Sequence, residues 1–162
     1  MSDLYKEKTS RSQAKIWLYS VVFQYEKLLD ILKQSPIPNE LRMLEEHFFS
    51  LSLKHSIEWL QEAERYNTSL RDDSKRFRKS IDEKLVTKVR NMREHYIEYF
   101  RGKDNSDMIT EKTVEGMKIK VDASSTIILG NTLGGIEIGS IVESAKYLLK
   151  KIVQIEASKL SL

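Results

Sequence analysis

The sequence contains no cysteine, two prolines and six glycines among its 162 residues. Without cysteine the chain cannot hold a disulfide framework, a cysteine-based zinc site or a catalytic thiol. Because proline and glycine are the two strongest helix breakers, their scarcity favours a helix-rich chain. No stretch approaches the roughly 18 consecutive apolar residues that a membrane-spanning helix needs, and the polar start of the chain does not resemble a secretory signal. We therefore expect a cytoplasmic protein with no membrane association.

Charge of neither sign dominates the chain, which has 27 basic and 24 acidic side chains, but the two signs are unevenly distributed. Residues 75–103 contain ten basic and four acidic side chains, whereas residues 36–66 contain three and six. The length and the 40% apolar content suit one domain with one core. The expected organisation is a single domain over residues 1–162, in which residues 1–12 form a flexible N-terminal arm.

Apolar residues recur every three or four positions in four segments, which is the pattern of amphipathic helices. Alternating and β-branched residues at 117–138 favour a small β hairpin instead. Four helices with one apolar face each bury those faces most simply as a bundle. The sequence therefore predicts a mainly α fold, a four-helix up-and-down bundle with a small β-hairpin insertion between helices three and four. The predicted helices are residues 13–33, 39–66, 80–100 and 140 to about 155.

The second predicted helix follows two prolines, and Asn39 is expected to be its N-cap. Its apolar stripe contains His55, for which a core imidazole with a hydrogen-bond partner is the simplest interpretation, whereas His47 lies at the edge of the stripe. The stripe expected in the core is Leu41, Leu44, Phe48, Leu51, His55, Trp59 and Ala63. For the last helix, the expected core residues are Ile141, Ala145, Leu148, Ile152 and Ile155.

The third predicted helix begins at Ser80, because Ser80 and Glu83 form a capping-box pattern. The preceding residues 71–79 are so highly charged that either a solvated helix start or a loop is expected there. This helix carries Arg90, Asn91 and His95, which form an Arg-Asn-x-x-x-His pattern in the most basic part of the chain.

The pattern resembles the signature of the HEPN superfamily, a group of small all-helical domains that includes many metal-independent endoribonucleases. Arg42 and His47 have the same spacing. They lack the asparagine after the arginine, however, and they begin an acidic helix. The asparagine and the basic surroundings therefore favour the pattern that ends at His95.

The resemblance implies that RNA is the substrate and that neither a metal nor a cofactor is needed. His95 would be the general acid or base, and Arg90 would hold the phosphate with its planar guanidinium. Asn91, one helical turn before His95, would orient the imidazole ring or the substrate. Sequence-independent contacts to the RNA backbone are expected from Lys84, Lys88 and Arg93.

Arg90 and His95 point about 140° apart on an ideal helix, so one copy of the motif does not form a compact site. HEPN nucleases pair two subunits so that two motifs line one cleft, and the resemblance therefore implies a homodimer. Relatives often act as toxins or phage-defence effectors, which makes a cognate antitoxin protein a candidate partner. Two other functions stay open: a non-catalytic HEPN-like module that binds RNA or protein, and a helical assembly protein.

Overall fold

A computed structural model of the chain describes residues 2–81, 83–94, 110–114, 117–121, 128–129, 132–133 and 136–160. Its helices are α1 (Asp3–Leu32), α2 (Asn39–Tyr66), α3 (Thr68–Lys79), α4 (Glu83–Glu94) and α5 (Ile138–Leu160). Its strands are β1 (Thr110–Val114), β2 (Met117–Val121), β3 (Ile128–Leu129), β4 (Thr132–Leu133) and β5 (Ile136–Glu137). β1 pairs with β2, and β4 pairs with β3 and β5, in each case antiparallel. The prediction of a mainly α chain is confirmed.

α1 and α2 form a long antiparallel hairpin around the loop 33–38. The prolines of this loop cannot continue a helix, so the chain reverses there. Residues at equal distances from Pro36 meet across the hairpin, which shows that the register stays constant along its length. The contacts are the Ser20–Ser52 hydroxyl pair at 2.7 Å, Lys27 Nζ to Glu45 Oε1 at 3.3 Å, and the rings of Trp17 and His55 with centroids 4.4 Å apart.

The other helices cover one side of this hairpin. α2 contacts α3 and α4, while α5 contacts α1 and α3. The C-terminal part of α5 reaches the start of α1, where Glu156 accepts a hydrogen bond from Lys15 Nζ at 2.5 Å. The core between these helices includes Ala14, Leu18, Val21 and Leu28 of α1, Phe49, Leu53, Ile57 and Leu60 of α2, Leu70 and Phe77 of α3, Val86 of α4, and Ile141, Ala145, Leu148 and Ile152 of α5.

The prediction of a flexible arm over residues 1–12 is wrong, because α1 begins at Asp3. The Ser2 hydroxyl caps the helix by accepting a hydrogen bond from the Tyr5 amide at 3.3 Å. Arg11 is buried and donates to Glu7 Oε1 at 2.9 Å. These first turns are packed through polar side chains, so an apolar period does not reveal them.

α2 has the predicted bounds, but its buried face is the predicted one only in part, since Ala63 is buried as expected. Leu53 and Leu60 lie in the core, whereas Leu41, Leu44 and Phe48 are exposed. The helix carries apolar residues around more than half of its circumference, so periodicity alone does not select the buried side. Contacts with α3 and α4 select it. The N-cap of the helix is Pro38. Asn39, the predicted N-cap, is the first residue of the helix.

Candidate nucleic-acid interface

The chain ahead of the predicted third helix forms a separate helix, α3, and the break near Ser80 creates a corner between α3 and α4. The charged residues 71–79 belong to α3. The Ser80 amide bonds to the carbonyl oxygens of Arg76 and Phe77 at 3.2 and 3.1 Å, and its hydroxyl donates to the Phe77 carbonyl at 2.7 Å. Ser80 is therefore the C-cap of α3 and not the start of the following helix. Ile81, next in the chain, is 5% exposed and anchors the corner in the core.

Arg78 holds this corner together. Its Nε and Nη2 donate to the two oxygens of Glu64 on α2 at 2.9 and 3.0 Å, and its Nη1 donates to Glu83 Oε1 on α4 at 3.2 Å. Partial burial lowers the pKa of Arg78, but the hydrogen bond and charge of Glu64, followed by those of Glu83, outweigh burial and raise the pKa above its ordinary value. One guanidinium thus connects three helices.

A cleft of about 680 Å³ lies at this corner and is termed the α3–α4 cleft. Its one acidic lining residue, Glu83, is already bound by Arg78. The exposed lysines of the cleft have no ion pair with any residue that the structure describes. Three ammonium groups around one cleft, none of them paired within the described ranges, attract a polyanion such as a nucleic-acid backbone. The lining residues are Lys75, Arg78, Lys79, Ile81, Glu83 and Lys84.

Arg90 and Asn91 are in contact on α4. The Arg90 Nη1 donates to Asn91 Oδ1 at 3.0 Å, and both residues are half-buried. Asn91 follows Lys84 by two helical turns, so the two residues share one side of α4 and are separated by about 10 Å along the helix axis. The hydrogen-bond partner of Arg90 therefore lies on the same side of the helix as Lys84.

Other predicted site residues are not part of this arrangement. His95 lies outside the described residues, and so do the side chains of Lys88 and Arg93, whose backbones belong to α4. Whether His95 approaches Arg90 stays a prediction. The pair that the structure brings together is Arg90 and Asn91, and the predicted cation at the cleft is Lys84.

Arg42, which belongs to the alternative motif, and His55 each have a partner on α2. In the alternative Arg-x-x-x-x-His pattern, Arg42 Nη1 donates to Glu46 Oε1 at 2.6 Å, and the Glu46 carboxylate is fully buried. The Arg42 guanidinium is therefore bound by a carboxylate of its own helix. His55 is not a core residue as expected, because its side chain is 31% exposed. The expected hydrogen-bond partner is present, since His55 Nδ1 lies 3.0 Å from Glu58 Oε2.

Lys75 and Lys79 are cleft residues that the sequence reasoning missed. They are four positions apart on α3 and therefore lie on the same face of the helix. The available signal was that the strongly basic part of the chain begins at Lys75. This signal does not place the two lysines together, because a segment that is either a helix start or a loop gives them no defined common face.

Comparisons with models of known protein families, with curated proteins and with solved structures find no match to this chain. Within the described ranges, no three His, Asp or Glu side chains are grouped as metal ligands. None of the helices in the same ranges is long and apolar enough to cross a membrane. The features of the fold that bear on function are therefore the α3–α4 cleft and the contact between Arg90 and Asn91.

Proposed function

We propose that this protein is a metal-independent endoribonuclease of HEPN type that acts as a homodimer on RNA. One observation carries the proposal: Arg90 donates to Asn91, which lies on the same side of α4 as Lys84 of the α3–α4 cleft. The cleft supplies attraction for the phosphate backbone. The guanidinium supplies the planar pair of donors that matches two phosphate oxygens.

The proposed reaction is an attack within the RNA chain. A base removes the proton of a ribose 2′-hydroxyl, the 2′ oxygen bonds to the adjacent phosphorus, and the bond from phosphorus to the 5′ oxygen breaks. An acid protonates the leaving 5′ oxygen, and the product keeps a 2′,3′-cyclic phosphate. The acid and the base are the His95 imidazoles of the two copies. Arg90 stabilises the charge that develops on the phosphate, and Asn91 is a positioning residue for its guanidinium.

Several parts of the proposal come from the HEPN resemblance rather than from geometry. They are the two-copy site, the toxin or phage-defence role and the cognate antitoxin protein. The four-helix up-and-down topology with a β-hairpin insertion at 117–138 comes from the periodicity of the sequence and stays a prediction. The lysines of the α3–α4 cleft support a nucleic-acid backbone as the ligand, because their attraction for phosphate does not depend on base sequence, whereas the choice of RNA comes from the resemblance.

Cleavage of a labelled RNA by the purified full chain in excess EDTA tests the proposal. We expect the wild type to cut the RNA and leave a cyclic phosphate, and we expect His95→Ala to abolish cutting without changing the circular dichroism spectrum. His55→Gln is the matched control, because it removes a partly exposed imidazole that contacts Trp17 of α1, and it is expected to retain full activity. Equal cleavage by the wild type and His95→Ala rejects the proposal.

RNA binding without cleavage is the second candidate function. It is favoured by the three cleft lysines, whose attraction for a phosphate backbone does not require a catalytic group. This function predicts that RNA is retained at low salt, that retention weakens as salt is added, and that the RNA recovered from the same samples is intact. Intact RNA together with salt-sensitive retention selects this candidate over the nuclease.

A further inference from the structure

A hollow separate from the α3–α4 cleft lies between α3 and α5. Its volume is about 330 Å³, at the lower end of the range of about 300–1,000 Å³ in which proteins bind small ligands. Phe77 and Leu148, both buried, give it an apolar base, and the other lining side chains are polar or aromatic. The hollow is termed the α3–α5 groove, and it is defined by Asp73, Arg76, Phe77, Ser144, Tyr147 and Leu148.

Two opposite charges of α3 line the groove. Among the described residues, neither the Asp73 carboxylate nor the Arg76 guanidinium has an ion pair or a side-chain hydrogen bond. The two residues are three positions apart, so they are neighbours on the helix surface, about 4.5 Å apart along its axis. Glu143, which also lines the groove, is already paired with Lys146, whose Nζ lies 2.8 Å from its Oε1. A ligand of the groove therefore meets one carboxylate and one guanidinium that no described residue engages.

Tyr147 gives the groove an aromatic surface. It is 48% exposed, although the next residue, Leu148, is buried in the core. The Lys151 ammonium lies 5.9 Å from the centroid of the Tyr147 ring, so a cation accompanies the aromatic group. Exposed aromatic rings next to basic side chains are the surfaces on which proteins stack single-stranded nucleobases. A planar base attached to a phosphate backbone therefore suits this side of the groove.

The two charged groups select guanine among the four RNA bases. Its Watson–Crick edge carries two adjacent donors, N1–H and the N2 amino group, which match the two oxygens of the Asp73 carboxylate. Its O6 and N7 atoms accept hydrogen bonds from the fork of one guanidinium, which Arg76 supplies. Adenine and cytosine each offer one exocyclic amino group, and uracil offers one ring N–H, so none of them matches both side chains. Use of the Watson–Crick edge also requires that the guanine be unpaired.

The groove lies close to the path of an RNA strand bound at the α3–α4 cleft. Lys75 and Lys79 line the cleft, whereas Phe77 lines the groove, so the helical period places the two hollows on opposite sides of α3. Arg76 precedes Lys79 by three positions and is its neighbour on the exposed surface of the helix. About 10 Å, the diameter of one helix, therefore separates the lysines that attract phosphates from the groove.

We propose that the α3–α5 groove binds an unpaired guanine of the RNA, stacked on Tyr147 and hydrogen-bonded to Asp73 and Arg76. The inference rests on the proposed function for its ligand, and it adds the base that the ligand must present. Asp73 is the specificity-determining residue in this assignment. The groove contains none of the residues proposed to cut RNA, so base preference and cleavage can be measured separately.

Fluorescence anisotropy of labelled oligouridines with the full chain tests the assignment. The oligomers are 2′-O-methylated, because the proposed cleavage needs a free 2′-hydroxyl and therefore cannot consume them. We expect an oligomer with one central guanosine to bind about 10-fold more tightly than the same oligomer with adenosine. Inosine in place of the guanosine lacks the N2 amino group and should lose most of that advantage.

Asp73→Asn removes one of the two acceptors and should bind the guanosine and inosine oligomers equally well. The matched control is Asp72→Asn, which makes the same charge change at the adjacent exposed position of α3, outside the groove, and should keep the guanosine preference. Tyr147→Leu removes the stacking ring and should weaken binding of the guanosine oligomer by about 10-fold, whereas Tyr147→Phe should bind it like the wild type.

Equal affinity of the wild type for the guanosine and adenosine oligomers overturns the assignment, and so does a guanosine preference that Asp73→Asn retains. Guanosine 5′-monophosphate added as a competitor distinguishes the source of the base. Competition at concentrations equal to that of the oligomer assigns the groove to a free nucleotide and rejects the RNA assignment.

Failure of the proposed function has a different signature, which is a guanosine preference in a protein that leaves unmodified RNA intact. Cleavage of RNA by a wild type without any base preference retains the nuclease and rejects the guanine site.

Discussion

Arg78 and Glu64 form a two-pronged ion pair between α3 and α2, with Nε–Oε1 and Nη2–Oε2 distances of 2.9 and 3.0 Å. The side chains are 20 and 10% exposed. A bidentate pair of this kind constrains orientation as well as distance, because both donors must meet both oxygens. The pair therefore determines how α3 leaves α2, and it thereby determines where the α3–α4 cleft lies.

Removal of this guanidinium should destabilise the protein. We expect Arg78→Ala to lower the free energy of unfolding by about 2–4 kcal/mol, because Glu64 would lose two donors at a largely buried site. The control is Arg65→Ala, which removes an exposed partner of Glu62 and should cost less than about 1 kcal/mol. Urea denaturation of both variants measures the difference, and equal losses would contradict the role given to Arg78.

The pH dependence of the Arg78 contribution follows from its raised pKa. A group whose pKa is higher in the folded than in the unfolded protein stabilises the fold fully below its unfolded value. The contribution falls as the pH rises through the folded value, which for this group lies above the ordinary arginine range. Arg78 therefore keeps its charge between pH 7 and about 10 in both the folded and the unfolded protein. We expect that its titration adds no pH dependence in this range to the difference in unfolding free energy between wild type and Arg78→Lys.

Substitution of two leucines on opposite faces of α2 tests which face is buried. Leu53 is fully buried and Leu44 is 48% exposed. We expect Leu53→Ala to cost about 2–5 kcal/mol of unfolding free energy, since it leaves a cavity in the core. Leu44→Ala, measured at a concentration at which the chain is monomeric, should cost less than about 1 kcal/mol. The reverse order would show that the stripe predicted from the sequence is the core.

The α3–α4 cleft should contribute to RNA affinity through charge. Lys79→Gln is expected to weaken RNA binding and to reduce the slope of log affinity against log salt by about 0.7, the effect of one lost phosphate contact with a single strand. Lys33→Gln makes the same charge change beside the hairpin loop, where the lysine is paired with Asp30. Fluorescence anisotropy over a salt series measures both slopes, and an unchanged slope for Lys79→Gln argues against the cleft.

The hydrogen bond between Arg90 and Asn91 should matter for catalysis. Arg90→Lys keeps the charge but loses the planar pair of donors, so we expect kcat for RNA cleavage to fall by about 100-fold. Asn91→Ala removes the acceptor that holds the guanidinium and should lower kcat by a smaller factor. Arg65→Lys, a control on the exposed surface of α2, should cleave at the wild-type rate. Undiminished cleavage by Arg90→Lys contradicts the proposed phosphate contact.

Part of the fold follows from local patterns. The bounds of α2 agree with the prediction because prolines precede the helix and the apolar period ends at Tyr66. In α5 the predicted Ile141, Ala145, Leu148 and Ile152 are all buried. This helix has a single apolar stripe, so its period leaves one choice of inward face. For the site, the contact of Arg90 with Asn91 joins residues adjacent in the predicted motif, whereas no sequence pattern indicated that Lys75 and Lys79 would join Lys84 in one cleft.

Helix content, the position of the hairpin loop and the inward face of α5 depend on residues a few positions apart, and such interactions can be recognised in the order of the amino acids. The inward face of α2, the corner at Ser80 and the α3–α4 cleft depend on partners distant in the chain. Glu64 must reach Arg78 to form the corner, and Leu53 must meet core residues of other helices before that side of α2 becomes the core. The stabilising free energy of burial and of buried ion pairs is gained only when those distant partners meet. The tertiary structure therefore decides which helix face is buried, because the local pattern does not distinguish between the candidate faces.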